Sequence, residues 1–324
     1  MKNEKERGME LKMIENVMEV RLPVDEHFYI KKNRIEPLNE EEKGKRICIV
    51  TGTHGDELEG QYVCYRLIQR IREEMEHLHG TVDVYPCLNP LGMDSITRGI
   101  PQFDLDMNRI FPGDEEGTVY EYAASKIVED MMDADLCIDI HSSNIFLREI
   151  PQVRISETTA ANLVPYAKYL NTDFIWVHAS ATVLQSTLAH SLNSQGVPTL
   201  VVEMGVGMRI TNDYCNQLTE GILNLMKHLG IWDGTVGEIR EPIISADKKV
   251  GFVNAERSGV FVPTVEHWSN VKEGQHIGDI FSPLSGEVLE RVTACCDGIL
   301  FTLREYPMVY QGALIARILD NSYT

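Results

Sequence analysis

At 324 residues, with 43% hydrophobic and 24% charged residues, the chain is large enough for one substantial α/β core and a smaller appendage. No apolar run approaches the roughly 20 residues needed to span a bilayer, and a formal net charge of −19 argues against nucleic acid or an anionic membrane as partner. Residues 1–46 hold equal numbers of basic and acidic side chains, so the excess acid lies downstream and serves solubility. An anionic substrate must therefore be attracted by local arginines. The charged N-terminus has no apolar stretch of the signal-peptide kind. Seven cysteines, several within apolar runs such as Ile47–Val50 and Leu136–Ile140, read as reduced thiols of a cytoplasmic protein. With no CxxC pair, a thiolate metal site is not expected.

In chain order, residues 1–45 read as a helical leader followed by an edge strand. From 46 to 234 short β-branched runs alternate with helical patterns, the signature of an α/β domain. The predicted strands are Arg46–Thr51, Thr81–Leu88, Asp135–Ile140, Asp173–Val177 and Pro198–Val202, nearly unbroken apolar runs suited to strands covered on both faces. The first predicted helix carries Leu58, Tyr62, Tyr65 and Ile68 at helical spacing; others cover 117–132, 156–170, 182–194 and 213–229. From 235 to 324 the pattern becomes short alternating segments punctuated by glycine, an all-β domain similar to the barrel-sandwich hybrids of lipoyl and biotinyl domains. Its corresponding turn, Ser282–Val288, has no lysine for a covalently carried group.

Three places in this pattern carry chemistry. Thr51–Gly60 (TGTHGDELEG) follows the first α/β strand and opens a helix, with His54 and Glu57 at an i,i+3 spacing that lets imidazole and carboxylate converge on one ion. His141 follows the strand Asp135–Ile140, and a His, a carboxylate and a distant second His make the ligand set of a catalytic zinc with an open position for water. Asp139 lies on the same strand face as His141 and either accepts from that imidazole or caps a loop. Glu203 ends a hydrophobic strand, where a carboxylate is costly unless paired or functional; as a general base it would activate water and return the proton to the leaving nitrogen. All of these groups sit at the C-terminal ends of strands, the edge where parallel sheets bind ligands. Between them, Thr97–Gly113 carries Arg98, Asn108 and Arg109 in a loop, with forks suited to a carboxylate or an oxyanion.

The motifs HGDE (54–57), DxNRxFPG (106–113), DxHSS (139–143) and VPTLVVEMG (197–205), in that order, resemble the succinylglutamate desuccinylase/aspartoacylase family of zinc carboxypeptidase-like hydrolases over about 46–320. The resemblance implies an open mixed, largely parallel sheet flanked by helices, with the smaller C-terminal β domain crowding the site mouth. It implies one Zn2+ per chain on His54, Glu57 and His141, Glu203 as catalytic acid/base, and Asn108 with Arg109 on the substrate carboxylate. Arg98 matches the arginine that polarises the carbonyl. An extra substrate-anchoring arginine sometimes found at 180–200 is missing, with Arg148 and Arg154 as candidates to compensate. Tyr306 or Tyr310 could reach the site from the β domain, though each reads more readily as a core or rim aromatic.

The expected activity is hydrolysis of the amide of a small anionic N-acyl amino acid, in a protein compatible with a homo-oligomer. A metallocarboxypeptidase on short peptides shares the metal site but needs an open cleft. A non-catalytic binding protein on the same fold would lack a ligand or the base.

Overall fold

The computed structural model describes residues 13–39, 44–179, 185–246 and 249–320. Its strands are β1 (Ile14–Arg21), β2 (His27–Ile35), β3 (Arg46–Thr51), β4 (Thr81–Tyr85), β5 (Leu136–Ser142), β6 (Leu147–Ser156), β7 (Phe174–His178), β8 (Thr199–Gly205) and β9 (Ile243–Ala246). The C-terminal strands are β10 (Val250–Asn254), β11 (Gly259–Pro263), β12 (Ser269–Val271), β13 (His276–Phe281), β14 (Val288–Thr293), β15 (Gly298–Arg304), β16 (Met308–Val309) and β17 (Leu314–Asp320). Six α-helices accompany them: α1 (Glu59–Glu73), α2 (Pro90–Ser95), α3 (Val119–Met131), α4 (Ala160–Ala167), α5 (Leu188–Ser194) and α6 (Asn212–Leu229).

Thirteen strands form one mixed sheet, with the order β1-β2-β4-β3-β5-β8-β6-β15-β17-β10 along its main path; β7 and β9 extend it from β6, and β12 pairs with β15. The centre is parallel: β4, β3, β5 and β8 run together, as the apolar runs predict. Alternation along β3 supplies both layers. Ile47 and Ile49 pack with Val63, Leu67 and Ile71 of α1 and Leu218, Ile222 and Met226 of α6. Cys48 and Val50 face the opposite way, with Ala123 and Ile127 of α3 and Leu188 and Leu192 of α5. Helix α3 begins at a reciprocal cap in which Thr118 and Glu121 satisfy one another's backbone N–H groups.

Three expectations need correction. Of the expected helical leader and edge strand, the part from Ile14 is all strand, β1 pairing antiparallel with β2 because IENVMEVR alternates in exposure with period two, and residues 1–12 lie outside the described part. Ser156, taken as a helix start, instead ends β6, a ten-residue strand that the sequence reading passes over. Pro151 and the charged Arg148, Glu149 and Arg154 break its hydrophobic pattern, and the strand accommodates them with a bulge between Glu149 and Gln152. Helix α5 starts at Leu188; of the predicted 182–194 segment, 182–184 lie outside the described residues.

The C-terminal strands divide between two sheets. β10, β12, β15 and β17 continue the large sheet through β15 on β6, while β14-β13-β11-β16 form a separate four-stranded sheet. Phe261, Ile280 and Val292 of the smaller sheet pack with Leu300, Ile315 and Ile318 of the larger one. The sheet as a whole is therefore mixed: parallel at its centre and along the branch β6-β7-β9, antiparallel at β1-β2-β4 and from β8 through β6 to β15, β17 and β10.

A buried ion cluster clamps β2, β3, β4 and α3 together, away from the loops that carry the chemistry. Asp83 is fully buried; Arg34 meets it through two hydrogen bonds of 2.9 and 2.8 Å, and Arg46 Nε donates at 2.8 Å. Lys32 Nζ bridges onwards to Asp130 at 2.8 Å. Burial opposes the Asp83 charge, but these cations win and hold its carboxyl below the usual range. Because the folded pKa is depressed, the cluster's stabilisation is complete above the unfolded carboxyl value of about 3.9 and is lost as pH falls through the lower folded value. Removing the carboxylate takes the shared partner from the buried Lys32 and Arg46 and the half-buried Arg34, so Asp83→Ala should cost about 3–5 kcal/mol in urea unfolding at pH 7, with a smaller difference from wild type in strong acid.

Candidate metal centre

The turn after β3 brings its side chains inward because two glycines let the backbone through. Gly52 adopts φ +69°, and a Cβ on Gly55 would stand 2.0 Å from the carbonyl carbon of Gly92. Beyond them His54 and Glu57 point into a cavity at the C-terminal edge of β3, β5 and β8. In the ladder, His141 of β5 stands directly beside Glu203 of β8.

His54, Glu57 and His141 are all buried, and one potential ligand atom from each falls within 4.8 Å of the others. The His141 Nδ1 shares a 3.0 Å hydrogen bond with Glu57 Oε2. The His54 Nδ1 lies 2.8 Å from Glu57 Oε1 but makes no hydrogen bond, leaving it an orphaned buried nitrogen. The far nitrogens face carboxylates: His54 Nε2 is 3.1 Å from Asp106 Oδ1, and His141 Nε2 is 3.2 Å from Asp139 Oδ2. The His54 ring is thus oriented by a hydrogen bond to Asp106, Asp139 stands beside the far nitrogen of His141, and both rings turn Nδ1 towards the common centre, as around metal-ligating histidines. Two imidazoles and a carboxylate match the donor set of a zinc site that keeps a position open. Between the two roles open to Asp139, the geometry favours the one beside the imidazole.

The electrostatics follow from burial and these contacts. Burial resists the Glu57 charge, yet His141 and His54 hold its carboxyl well below the ordinary range. For Asp106, burial is outweighed by His54, Arg98 and Arg109, which bring the pKa down to about 2. Glu203 goes the other way: burial raises its carboxyl above the ordinary value, against the pull of Arg154.

The arginine loop also reaches the cavity. Arg98 Nη1 donates to Glu57 Oε1 at 2.8 Å. Asp106 caps the short turn Met107–Arg109 by accepting from Asn108 N–H at 2.9 Å, which fixes the pair Asn108–Arg109 against the wall. The Asn108 Oδ1 accepts from the backbone N–H of Leu188 at 2.9 Å, so its amide nitrogen is left to donate elsewhere. Arg109 lines the cavity with its guanidinium 3.8 Å from Asp106.

Of the two arginines considered as substitutes, Arg154 lines the cavity and Arg148 lies instead by Tyr214. Tyr306 reaches the rim only by an edge contact with Phe146, whose ring lines the cavity, and Tyr310 is 81% exposed. The sequence reading missed Glu149 and Arg317, which also line the cavity, and gave Asp106 no part of its own. Glu149 lies between Arg148 and Ile150 in a segment of mixed polarity, so no local pattern marks it. Arg317 comes from a strand some 170 positions away, and no local pattern marks it.

Fold and site together define a mixed α/β protein with a C-terminal β extension and a candidate metal centre at the edge of its parallel strands. The family model of the succinylglutamate desuccinylase/aspartoacylase catalytic domain matches residues 43–229, and the chain belongs to that family. It is 28% identical over 294 residues to the N-alpha-acetyl-L-2,4-diaminobutyric acid deacetylase of Halomonas elongata, covering 86% of this chain and 83% of that one. Among solved structures it is similar to the product-bound ectoine utilization protein EutE (DoeB) from Ruegeria pomeroyi, with TM-score 0.80, 19% identity and 95% of each chain covered. A succinylglutamate desuccinylase/aspartoacylase from Rhodobacter sphaeroides matches with TM-score 0.79 and 23% identity, again over 95% of each. Among the described residues no helix is long and apolar enough to cross a membrane.

The Gly55 passage can be tested without reference to activity. A methyl group there meets backbone of Gly92 and Met93 and not a yielding side chain, so Gly55→Ala should lower stability by at least about 1–3 kcal/mol in urea unfolding.

Proposed function

We propose that the protein is a zinc-dependent amidohydrolase that removes the acyl group from a small N-acyl amino acid. The observation that carries this reading is the convergence of the His54 and His141 Nδ1 atoms on Glu57, one of them orphaned, with an aspartate beside each far nitrogen. The similarity to a deacetylase of an Nα-acetylated amino acid supports an acyl amino acid as substrate and makes acetyl the first acyl group to test.

His54, Glu57 and His141 would hold the zinc ion, which supplies Lewis acidity to a carbonyl oxygen and lowers the pKa of water to about 7. Glu203, its carboxyl raised above the ordinary value by burial, is placed to take a proton from the attacking water and hand it to the leaving nitrogen. Asn108 and Arg109 orient the substrate through its carboxylate, the asparagine by its free amide nitrogen and the arginine by its fork. Arg98 reaches the centre from the loop side and stabilises the oxygen on which negative charge grows. Water expelled from the cavity on binding strengthens each of these contacts.

The deciding experiment is a hydrolysis screen with zinc-replete protein, varying both halves of the amide and including short peptides for C-terminal release. N-acyl amino acids should turn over and peptides should not; preferential peptide cleavage would make the protein a carboxypeptidase. Purified protein should contain about one zinc per chain, and full activity after chelation would refute the zinc mechanism. Glu203→Gln should lower kcat by about 10²–10⁴-fold with zinc retained. Asp139→Asn should weaken zinc binding by about 10–100-fold, read by competition with a chelating dye.

A further inference from the structure

One wall of the cavity holds a run of alternating charges that no step above uses. Arg317 of β17 is ion-paired to Glu149 of β6, Glu149 Oε2 accepts from Arg154 Nη2 at 2.5 Å, and Arg154 Nη1 lies 3.3 Å from Glu203 Oε1. Gln152 adds a 2.7 Å hydrogen bond to the same Glu149 oxygen. We propose that Arg154 is a positioning residue for Glu203, set by Glu149 and, through it, by Arg317 from the C-terminal strands. The inference rests on Glu203 being the base.

The strand geometry makes this arrangement specific. In the β6–β8 ladder Gln152 opposes Glu203 and Arg154 opposes Val201, so Arg154 and Glu203 are diagonal neighbours on one face, within reach of a long side chain. The bulge between Glu149 and Gln152 lets Glu149, three positions before Gln152, hydrogen-bond to it beside the same pair. A glutamate at a strand end has several rotamers open to it. The planar guanidinium removes that choice, because one Nη is fixed on the buried Glu149 and the other can meet only one placement of the Glu203 carboxylate. The Trp176 ring, 5.5 Å from the Arg154 guanidinium and 5.4 Å from that of Arg317, closes the far side. Two arginines face two glutamates, so the wall is charge-balanced while Glu203 is ionised.

A misplaced base should act on turnover more than on affinity, since a displacement of about 1 Å costs on the order of 100-fold. With zinc-loaded protein and Nα-acetyl-2,4-diaminobutyrate as probe, Arg154→Met should lower kcat on the order of 100-fold and change KM less than about threefold. Arg317→Met, which contacts neither Glu203 nor the proposed zinc ligands, should lower kcat in the same sense by a smaller factor. In a Glu203→Gln background Arg154→Met should cost less than about twofold, because the side chain it positions is already gone. A crystal structure of Arg154→Met supplies a readout independent of turnover: the Glu203 carboxylate should leave its place while His54, Glu57 and His141 keep theirs. An unmoved Glu203, unchanged kcat in Arg154→Met, or a full effect persisting in the Glu203→Gln background overturns the inference. Undiminished kcat in Glu203→Gln alone would instead remove the base assignment, and this inference with it.

Discussion

A buried carboxylate is an expensive group to fold around, and Glu57 is almost entirely removed from water. It is tolerated because donors surround it: His141 Nδ1 at 3.0 Å, the Ser142 N–H at 3.1 Å and Arg98 Nη1 at 2.8 Å. These partners come from β5 and from the arginine loop, and Glu57 itself from the turn after β3, so satisfying one charge dictates how three segments meet. The parallel register of β3 and β5 then follows as a requirement of the site as well as of the core.

Two residues further on, Glu59 does for the scaffold what Glu57 does for the centre. It is fully buried, accepts from the N–H and hydroxyl of Thr211 at the head of α6, and lies 3.0 Å from Cys215 Sγ. A Cβ on Gly205 would sit 1.8 Å from Glu59 Oε1, so the end of β8 rests directly on this carboxylate. Glu203 lies two residues before Gly205, so the strand that carries it is backed at its end by Glu59, while its own carboxylate meets Arg154. The single segment GDELEG thus connects the candidate metal centre to the strand that carries the candidate base.

How much of this is legible in the sequence depends on whether a residue's environment is local. β3 matches its predicted bounds, and β5 and β8 overlap theirs, because strands covered on both faces are apolar at every position. His54, Glu57, His141 and Glu203 stand out as polar groups attached to those runs. β6 is hidden for the opposite reason: its charges are neutralised by residues distant in sequence, and its bulge destroys the period-two pattern. The alternating charges of Arg317, Glu149, Arg154 and Glu203 belong to three strands far apart along the chain, and only the folded sheet makes them neighbours. The same holds for β1, where a charged alternating segment resembles a surface helix until β2 is there to pair with it.

The pairing of β15 with β6 has a practical consequence for anyone dissecting this chain. A fragment ending after α6 would keep every proposed zinc ligand but would uncover the Leu147–Glu149 part of one border of β6 and, without β9, the outer border of β7. Bare strand borders of this sort template intermolecular pairing. Phe174 and Trp176, which pack on Phe301 in the intact protein, would be uncovered beside them. Such a fragment is better regarded as an aggregation-prone half of a sheet than as a minimal enzyme.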